Sequence, residues 1–206
     1  SSFFINVNNL KEENEQLQNK NTELEEQLRE LESIKAENES LKQYLNLKEK
    51  YSDYAAVPAD VINRDISNYS KNIVINVGTK DDIKEGMTVI AAEGLVGHII
   101  SVTETTAKVQ TIIDTSSSTS ALLSTSRDSI VCKGILNSDT QLKAMYIPTE
   151  ATISQGDTIE TSGIGGIYQK GIYIGTVEKV ENTTDLTNRY ALVSVAVNFK
   201  KLEILN

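Results

Sequence analysis

Leucines recur at a seven-residue spacing near the start of this 206-residue chain, at Leu10, Leu17, Leu24 and Leu31. If these are heptad d positions, the a positions are Val7, Asn14, Asn21 and Leu28, and the seam continues as Ile34, Asn38, Leu41 and Leu45. Polar a positions weaken a coiled coil but favour two strands in fixed register. We therefore predict a dimerisation helix over residues 1–53, with the apolar seam residues Leu10, Leu17, Leu24, Leu28, Leu31, Ile34, Leu41 and Leu45 at the interface.

The composition of this segment favours the same structure. No glycine or proline precedes Pro58, and Glu, Leu, Lys, Gln and Asn dominate. Two successive three-residue core spacings after Leu28 form a stammer, which overwinds a supercoil locally. The competing interpretation is a single solvated helix with an acidic face. The leucine stripe favours a partner helix, because no second long helix is visible in the chain to cover it.

From Tyr54 onward the apolar period changes from seven to two. Ten short alternating runs, from "VPADVI" to "YALVSVAV", are separated by Gly, Asn, Asp and Ser. This pattern predicts a mainly β region, 54–206, of two small β-barrels. In one arrangement the division is discontinuous: one barrel consists of about 54–90 together with 165–206, and the other consists of about 91–164. In the serine-rich stretch 115–126, residues 115–120 are predicted to form a loop and the remainder a strand.

A weak repeat lies within the β region. "EGMTVIAAEGLVGHIISV" and "QGDTIETSGIGGIYQKGIYIGTVEKV" both begin Gly-x-Thr-(Val/Ile) and end Gly-x-(Ile/Val)-x-x-Val. Glycine lets a curved strand bend, or lets a neighbouring strand pass closely. The repeat predicts structural roles for Gly86, Gly94, Gly97, Gly156, Gly171 and Gly175.

The totals exclude several kinds of function. With 29 acidic and 20 basic side chains, the net charge of −9 argues against nucleic-acid binding. One cysteine and one histidine leave little material for a disulfide or a metal centre. "GIGGIYQKG" does not have the glycine spacing of a dinucleotide-binding loop. We predict no cofactor, no metal and no catalytic residue.

Two other functions remain open from the residues. A chymotrypsin-like serine protease would use His98, an aspartate and Ser162 in that order, although the residues around Ser162 lack the Gly-Asp-Ser-Gly-Gly of that class. A coiled-coil periplasmic adaptor or adhesin also joins helices to β-barrels. Such adaptors usually have a helical hairpin, whereas one helix is visible here.

Several short pieces of the β region, taken together in their order along the chain, resemble the rod shape-determining protein MreC family. They are "NRD", "INVG", "GMTVI", "GLVGHI" and "QTIID". The glycine-rich "SGIGGIYQKGIYIGTVEKV" resembles that family's C-terminal signature, in which a proline often stands where Gln169 stands here. The similarity covers about residues 57–197, with a coiled coil in the corresponding place before it.

The resemblance implies a non-enzymatic, homodimeric scaffold of cell-shape maintenance. Its implied partners are a second copy, a class B penicillin-binding protein, MreD and MreB, with filaments as a further assembly. It also implies a single-pass cell-membrane protein with this portion on the extracytoplasmic side. The chain begins at Ser1 without a methionine or an apolar span. We expect the transmembrane helix that the resemblance implies to lie upstream of Ser1.

Overall fold

A computed structural model describes residues 2–66 and 70–202. The chain divides into two compact units, 1–56 and 57–206. The first unit is helical, and the second contains all the strands of the described residues.

The first unit is built on one helix, α1, which runs from Ser2 to Lys50. Its 49 residues give a length of about 73 Å at 1.5 Å per residue. Lys48 and Lys50 lie in the last turn, where positive charge opposes the negative end of the helix dipole. The Tyr51 N–H donates to the Leu47 carbonyl, and the Tyr54 N–H donates to the Tyr51 carbonyl, which continues the turn past the helix end.

The second unit contains eleven strands among the described residues. The first five are β1 Val61–Ile66, β2 Lys71–Ile75, β3 Thr88–Ala91, β4 Gly94–Val102 and β5 Ala107–Thr111. The other six are β6 Ser118–Leu123, β7 Ser129–Gly134, β8 Gln141–Met145, β9 Thr158–Thr161, β10 Tyr173–Glu181 and β11 Tyr190–Val195. Short 3₁₀ turns occupy Thr79–Asp81 and Leu186–Asn188.

The strands form two antiparallel sheets. The first has the order β1-β2-β5-β4-β3, and the second is a closed barrel with the order β10-β11-β8-β7-β6-β9. The strands of the first sheet lie within 61–111, and the strands of the barrel lie within 118–195. Each sheet is therefore continuous in the chain, whereas the division considered from the sequence is discontinuous. The hairpin of the first sheet, β3 with β4, pairs with β5, and the hairpin of the barrel, β9 with β10, pairs with β11 and with β6. Within the described residues only the second sheet closes.

All ten alternating runs of the sequence overlap a strand. The eleventh strand, β6, starts at Ser118 within the serine-rich stretch, so the loop expected over 115–120 was wrong for its second half. β6 pairs with β7 on one side and β9 on the other. This two-sided pairing overrides the low strand preference of its serines.

The sequence repeat corresponds to the same hairpin in both sheets. In each copy one residue on the returning strand forms two backbone hydrogen bonds with the start of the hairpin. Its carbonyl accepts from the N–H of the first glycine, and its own N–H donates to the carbonyl of the residue after that glycine. The bonds are Gly86 to Ile99 (2.8 Å) and Ile99 to Met87 (2.9 Å), with Gly156 to Val177 and Val177 to Asp157 (both 2.8 Å) in the barrel.

A buried lysine ties the first sheet to the barrel. Lys71 at the start of β2 is 4% exposed, and its Nζ lies 2.7 Å from Asp139 Oδ1 and donates to the Ser138 carbonyl. Its backbone N–H donates to the Asp114 carboxylate at 2.7 Å. A buried ammonium needs such partners, because an unpaired buried charge is costly.

The single cysteine lies in the barrel core. Cys132 is fully buried, and burial raises the pKa of its thiol to about 12. Because the thiolate is the reactive form, we expect Cys132 to resist a thiol reagent at pH 8 while the protein is folded. Mass spectrometry after alkylation tests this, and the denatured protein, in which the pKa returns to its usual range, is the control that must react. Rapid labelling of the folded protein would contradict the buried position.

Candidate functional site

The predicted seam residues all lie on α1, and all are exposed in the single chain. The fractional exposure runs from 49% at Leu24 to 64% at Leu31. The other six, Leu10, Leu17, Leu28, Ile34, Leu41 and Leu45, lie between these values. Val7, at the first a position, is also exposed. A stripe of large apolar side chains along one helix is the pattern that a second helix covers in a coiled coil.

The charged side chains of α1 interact within the helix. Lys20 Nζ lies 2.8 Å from Glu23 Oε2, and Lys42 Nζ lies 3.8 Å from Glu39 Oε1, both as i,i+3 pairs. Exposed pairs of this kind contribute only about 0.3–0.5 kcal/mol each. The apolar seam is therefore the feature of α1 whose burial against a partner would stabilise an assembly most.

Two of the predicted glycines lie where strands approach each other closely. Gly97 in β4 is opposite Thr111 of β5, and a Cβ added at Gly97 would lie 2.0 Å from the Gln110 carbonyl oxygen. Gly175 in β10 has the corresponding position, with an added Cβ 2.1 Å from the Ser194 carbonyl oxygen. Neither position has room for a side chain unless the neighbouring strand moves.

The other four predicted glycines have positive φ angles. Gly94 also lies against the barrel, because an added Cβ would be 2.5 Å from the Tyr173 carbonyl oxygen. The φ values are 86° at Gly86, 156° at Gly94, 91° at Gly156 and 90° at Gly171. The structural role of these residues stays a prediction, and mutation tests it.

The histidine and serine of the protease alternative have other partners. His98 Nδ1 and the Tyr168 hydroxyl share a hydrogen bond of 2.9 Å, which joins β4 to the glycine-rich loop 163–171. Ser162 Oγ accepts a hydrogen bond of 3.1 Å from the Ile164 N–H. Within residues 2–66 and 70–202, no group of three or more His, Cys, Asp or Glu side chains could hold a metal ion.

We predict that the stability of the protein depends on pH through His98. Burial lowers the pKa of His98 from its ordinary 6.5. Below pH 6.5 the unfolded chain therefore binds a proton more readily than the folded one, and the free energy of unfolding falls as the pH decreases. Urea unfolding at pH 7.5 and pH 5.5 should show a smaller loss of stability for His98→Gln than for the parent. An equal loss in both proteins would show that His98 does not contribute.

The loop 163–171 carries two exposed apolar side chains that the sequence reasoning did not select. Ile164 is 63% exposed and Ile167 is 47% exposed, whereas the adjacent Tyr168 is buried. The loop is closed by Thr161, whose hydroxyl donates to the Gln169 carbonyl at 2.5 Å and accepts from the Ile172 N–H at 2.9 Å. The sequence signal for these two residues is their position between glycines. A bend formed by glycines does not need a large apolar side chain, so an isoleucine there indicates another role.

Among the described residues, no helix is both long enough and apolar enough to cross a membrane. The chain matches the family model "Rod shape-determining protein MreC, barrel core" over residues 61–205. This range contains every strand of both sheets.

Named relatives agree with this match. The cell shape-determining protein MreC of Listeria monocytogenes is 32% identical over 146 residues, covering 68% of this chain and 48% of the relative. That of Haemophilus influenzae is 31% identical over 193 residues, covering 94% and 54%. The chain thus spans about half the length of these two relatives.

Solved structures have the same fold. MreC of Listeria monocytogenes has a TM-score of 0.66 at 27% identity, over 89% of this chain and 92% of that one. MreC in a complex with penicillin-binding protein PBP2 from Helicobacter pylori has a TM-score of 0.56 at 17% identity, over 71% and 90%. With the family model covering more than half of its residues, this chain belongs to the MreC family of rod shape-determining proteins.

Proposed function

We propose that the chain is a non-enzymatic, homodimeric scaffold that recruits peptidoglycan-synthesis proteins of the elongation machinery outside the membrane. The observation that carries the proposal is the family match over residues 61–205, the whole β region. Relatives that match this chain are named for determining cell shape.

Dimerisation through α1 is the first part of the proposal. The exposed seam supports it, because eight large apolar residues on one stripe have nothing to cover them within the described part of the unit 1–56. Asn14 and Asn21 at successive a positions favour a two-stranded coiled coil, since each can pair with its own copy when the strands are in register. A pair of helices about 73 Å long would set a fixed spacing along the coiled coil.

Recruitment by the β unit is the second part. The Helicobacter pylori complex supports a class B penicillin-binding protein as a partner, and family resemblance supports MreD and MreB. Ile164 and Ile167 are candidate contacts for the penicillin-binding protein, because exposed isoleucines on a loop held by Thr161 can be buried with little loss of backbone freedom. Two β units per dimer raise the effective concentration for a clustered partner.

A membrane anchor and filaments complete the proposal. We place a single transmembrane helix before Ser1 and the described units on the extracytoplasmic side, on family resemblance. Strands β1 and β3 at the ends of the first sheet could pair with another copy and extend dimers into filaments.

A cell-shape experiment tests the scaffold proposal. The gene is replaced by a full-length version with Leu24→Asp and Leu31→Asp, and cell width is measured by microscopy. We expect wide or round cells at normal protein level, because the seam no longer supports the dimer.

The matched control is Asn19→Asp with Thr22→Asp, which adds the same charge at f and b positions away from the seam. Normal rods are expected for it. If the seam variant also gave normal rods at normal protein level, dimeric scaffolding through α1 would be excluded.

A further inference from the structure

The glycine-rich loop 163–171 is an insertion into the repeated hairpin. Eleven positions separate the two matching glycines of the first copy, and nineteen separate those of the second. The first copy turns from β3 to β4 through residues 92–93, whereas residues 162–172 connect β9 to β10 in the second. A hairpin of this kind therefore closes without the longer loop, and a long loop that the fold does not need often carries function.

The barrel itself holds the two ends of this loop. At the beginning, the Ile164 N–H donates to Ser162 Oγ at 3.1 Å. At the end, the Thr161 hydroxyl donates to the Gln169 carbonyl, and the Gly171 N–H donates to the Thr161 carbonyl at 2.9 Å. These bonds fix the base of the loop and leave its tip to other contacts.

The tip, residues 165–168, is tied to the first sheet. In the described part of the chain, no protein acceptor takes a hydrogen bond from the N–H groups of these residues. Tyr168 is buried, and its hydroxyl lies 2.9 Å from Nδ1 of His98 on β4. The two rings meet edge to face, with 5.7 Å between their centroids and 77° between their planes. A side chain of one sheet thus holds the tip of a loop that belongs to the other.

The chemistry of this pair favours Tyr168 as the donor. Burial raises the pKa of the Tyr168 hydroxyl above its ordinary value, so the phenol keeps its proton. Burial also lowers the pKa of His98, so the imidazole is neutral at about pH 7 and its Nδ1 can accept. Among the described residues, His98 is the one hydrogen-bond partner of this hydroxyl, and a buried hydroxyl without an acceptor is unfavourable.

The strand that carries His98 also contacts the barrel just after the loop. A Cβ added at Gly94 of β4 would lie 2.5 Å from the carbonyl oxygen of Tyr173, the first residue of β10. β4 therefore lies against the barrel at Tyr168 and again at Tyr173. Two contacts five positions apart give His98 a firm support under the end of the loop.

We propose that His98 is a positioning residue, which holds the tip of loop 163–171 so that Ile164 and Ile167 meet a partner in one arrangement. This role rests on the proposed function, in which these isoleucines contact the penicillin-binding protein. A loop that is already ordered loses less conformational freedom on binding than a loop that must be ordered by its partner. A residue of the first sheet thereby controls the affinity of a site on the barrel.

NMR of the free 206-residue protein tests the positioning role without a partner. Tyr168→Phe removes the hydroxyl and keeps the ring. We expect the backbone order parameters of Ile164 and Ile167 to fall from about 0.8 to below about 0.6, while those of β8 stay unchanged. His98 is the single histidine of the chain, so its Nδ1 signal is unambiguous and should shift when the hydrogen bond is lost.

The matched control is Tyr146→Phe, which removes a hydroxyl from an exposed tyrosine of the barrel. The loop order and the Nδ1 signal should both match the parent in this variant. Loop order in Tyr168→Phe equal to that of the parent would overturn the proposal, as would a loop that is already disordered in the parent.

Affinity for the class B penicillin-binding protein, immobilised at low density so that single-site binding is measured, tests the consequence. We expect Tyr168→Phe and His98→Leu to bind roughly 10-fold more weakly than the parent. His98→Asn should restore most of the affinity, because a side-chain amide atom of asparagine lies two bonds from Cβ, as Nδ1 does in histidine.

The outcomes separate this role from the proposed function. Parent affinity in Tyr168→Phe, or equal weakening in His98→Leu and His98→Asn, would overturn the positioning role. If the parent bound no class B protein, the proposed function would fail, and the loop order of the free protein would alone decide the role of His98.

Discussion

The variant Leu24→Asp with Leu31→Asp is expected to sediment as a 22.7 kDa monomer with a folded β unit, whereas we expect the parent to sediment as a dimer of twice that mass. Both leucines are d positions of the seam, so a dimer of the variant would bury four carboxylates against apolar side chains. Burying an unpaired charge costs several kcal/mol, so association should weaken by at least roughly 1,000-fold. Sedimentation equilibrium over a range of concentrations gives the mass.

The control for this experiment is again Asn19→Asp with Thr22→Asp, which should remain a dimer. Circular dichroism should show less helix in the seam variant, because α1 loses the packing against a partner helix, and most helical stability in proteins comes from such packing. Near-native amide exchange in the barrel strands would establish that the β unit stays folded. A seam variant that kept the dimer mass would exclude the heptad seam as the interface.

Gly175→Val and Gly97→Val are expected to unfold at markedly lower temperature than the parent. At either position the first side-chain atom would lie about 2 Å from a carbonyl oxygen of the neighbouring strand, so that strand must move and lose pairing. We expect a loss of about 3 kcal/mol or more, which lowers Tm by roughly 6–12 °C in a domain of this size. Scanning calorimetry measures the change.

The variant Gly156→Ala measures the cost of a strained backbone conformation alone, without the close contact that affects Gly97 and Gly175. Gly156 has a φ of 91° but open space around an added Cβ, so alanine there should cost only about 1–2 kcal/mol. If Gly175→Val kept the parent's Tm and instead abolished binding of a partner, Gly175 would have a role in recognition rather than in the fold.

Much of the fold could be predicted because its signals are local. The heptads define α1, and the alternating runs all overlap strands. The matching glycines identify a hairpin that recurs with the same hydrogen bonds in both sheets. These signals depend on residues two, three, four or seven positions apart, which a single sequence displays directly.

The remainder depends on distant pairing. Nothing in the serines of β6 shows that β7 and β9 lie on either side of it. Likewise, the partners of Lys71 are Asp139 and Ser138, more than sixty positions along the chain. The seam could be selected from the sequence because heptad spacing is a helical pattern. Ile164 and Ile167 have no such spacing, because they lie in an irregular loop, and their position between glycines is a weaker signal than a heptad.

Binding of a class B penicillin-binding protein tests the central claim most directly. The extracytoplasmic parts of the class B proteins encoded in the same genome are immobilised at low and at high density, and binding of the 206-residue chain is followed over time. We predict that one of them binds at both densities and that the parent dissociates at least roughly ten-fold more slowly at high density, through two-site attachment. The Leu24→Asp, Leu31→Asp variant should bind with the same dissociation rate at both densities. Absence of binding by the parent to every class B protein would contradict the scaffold account.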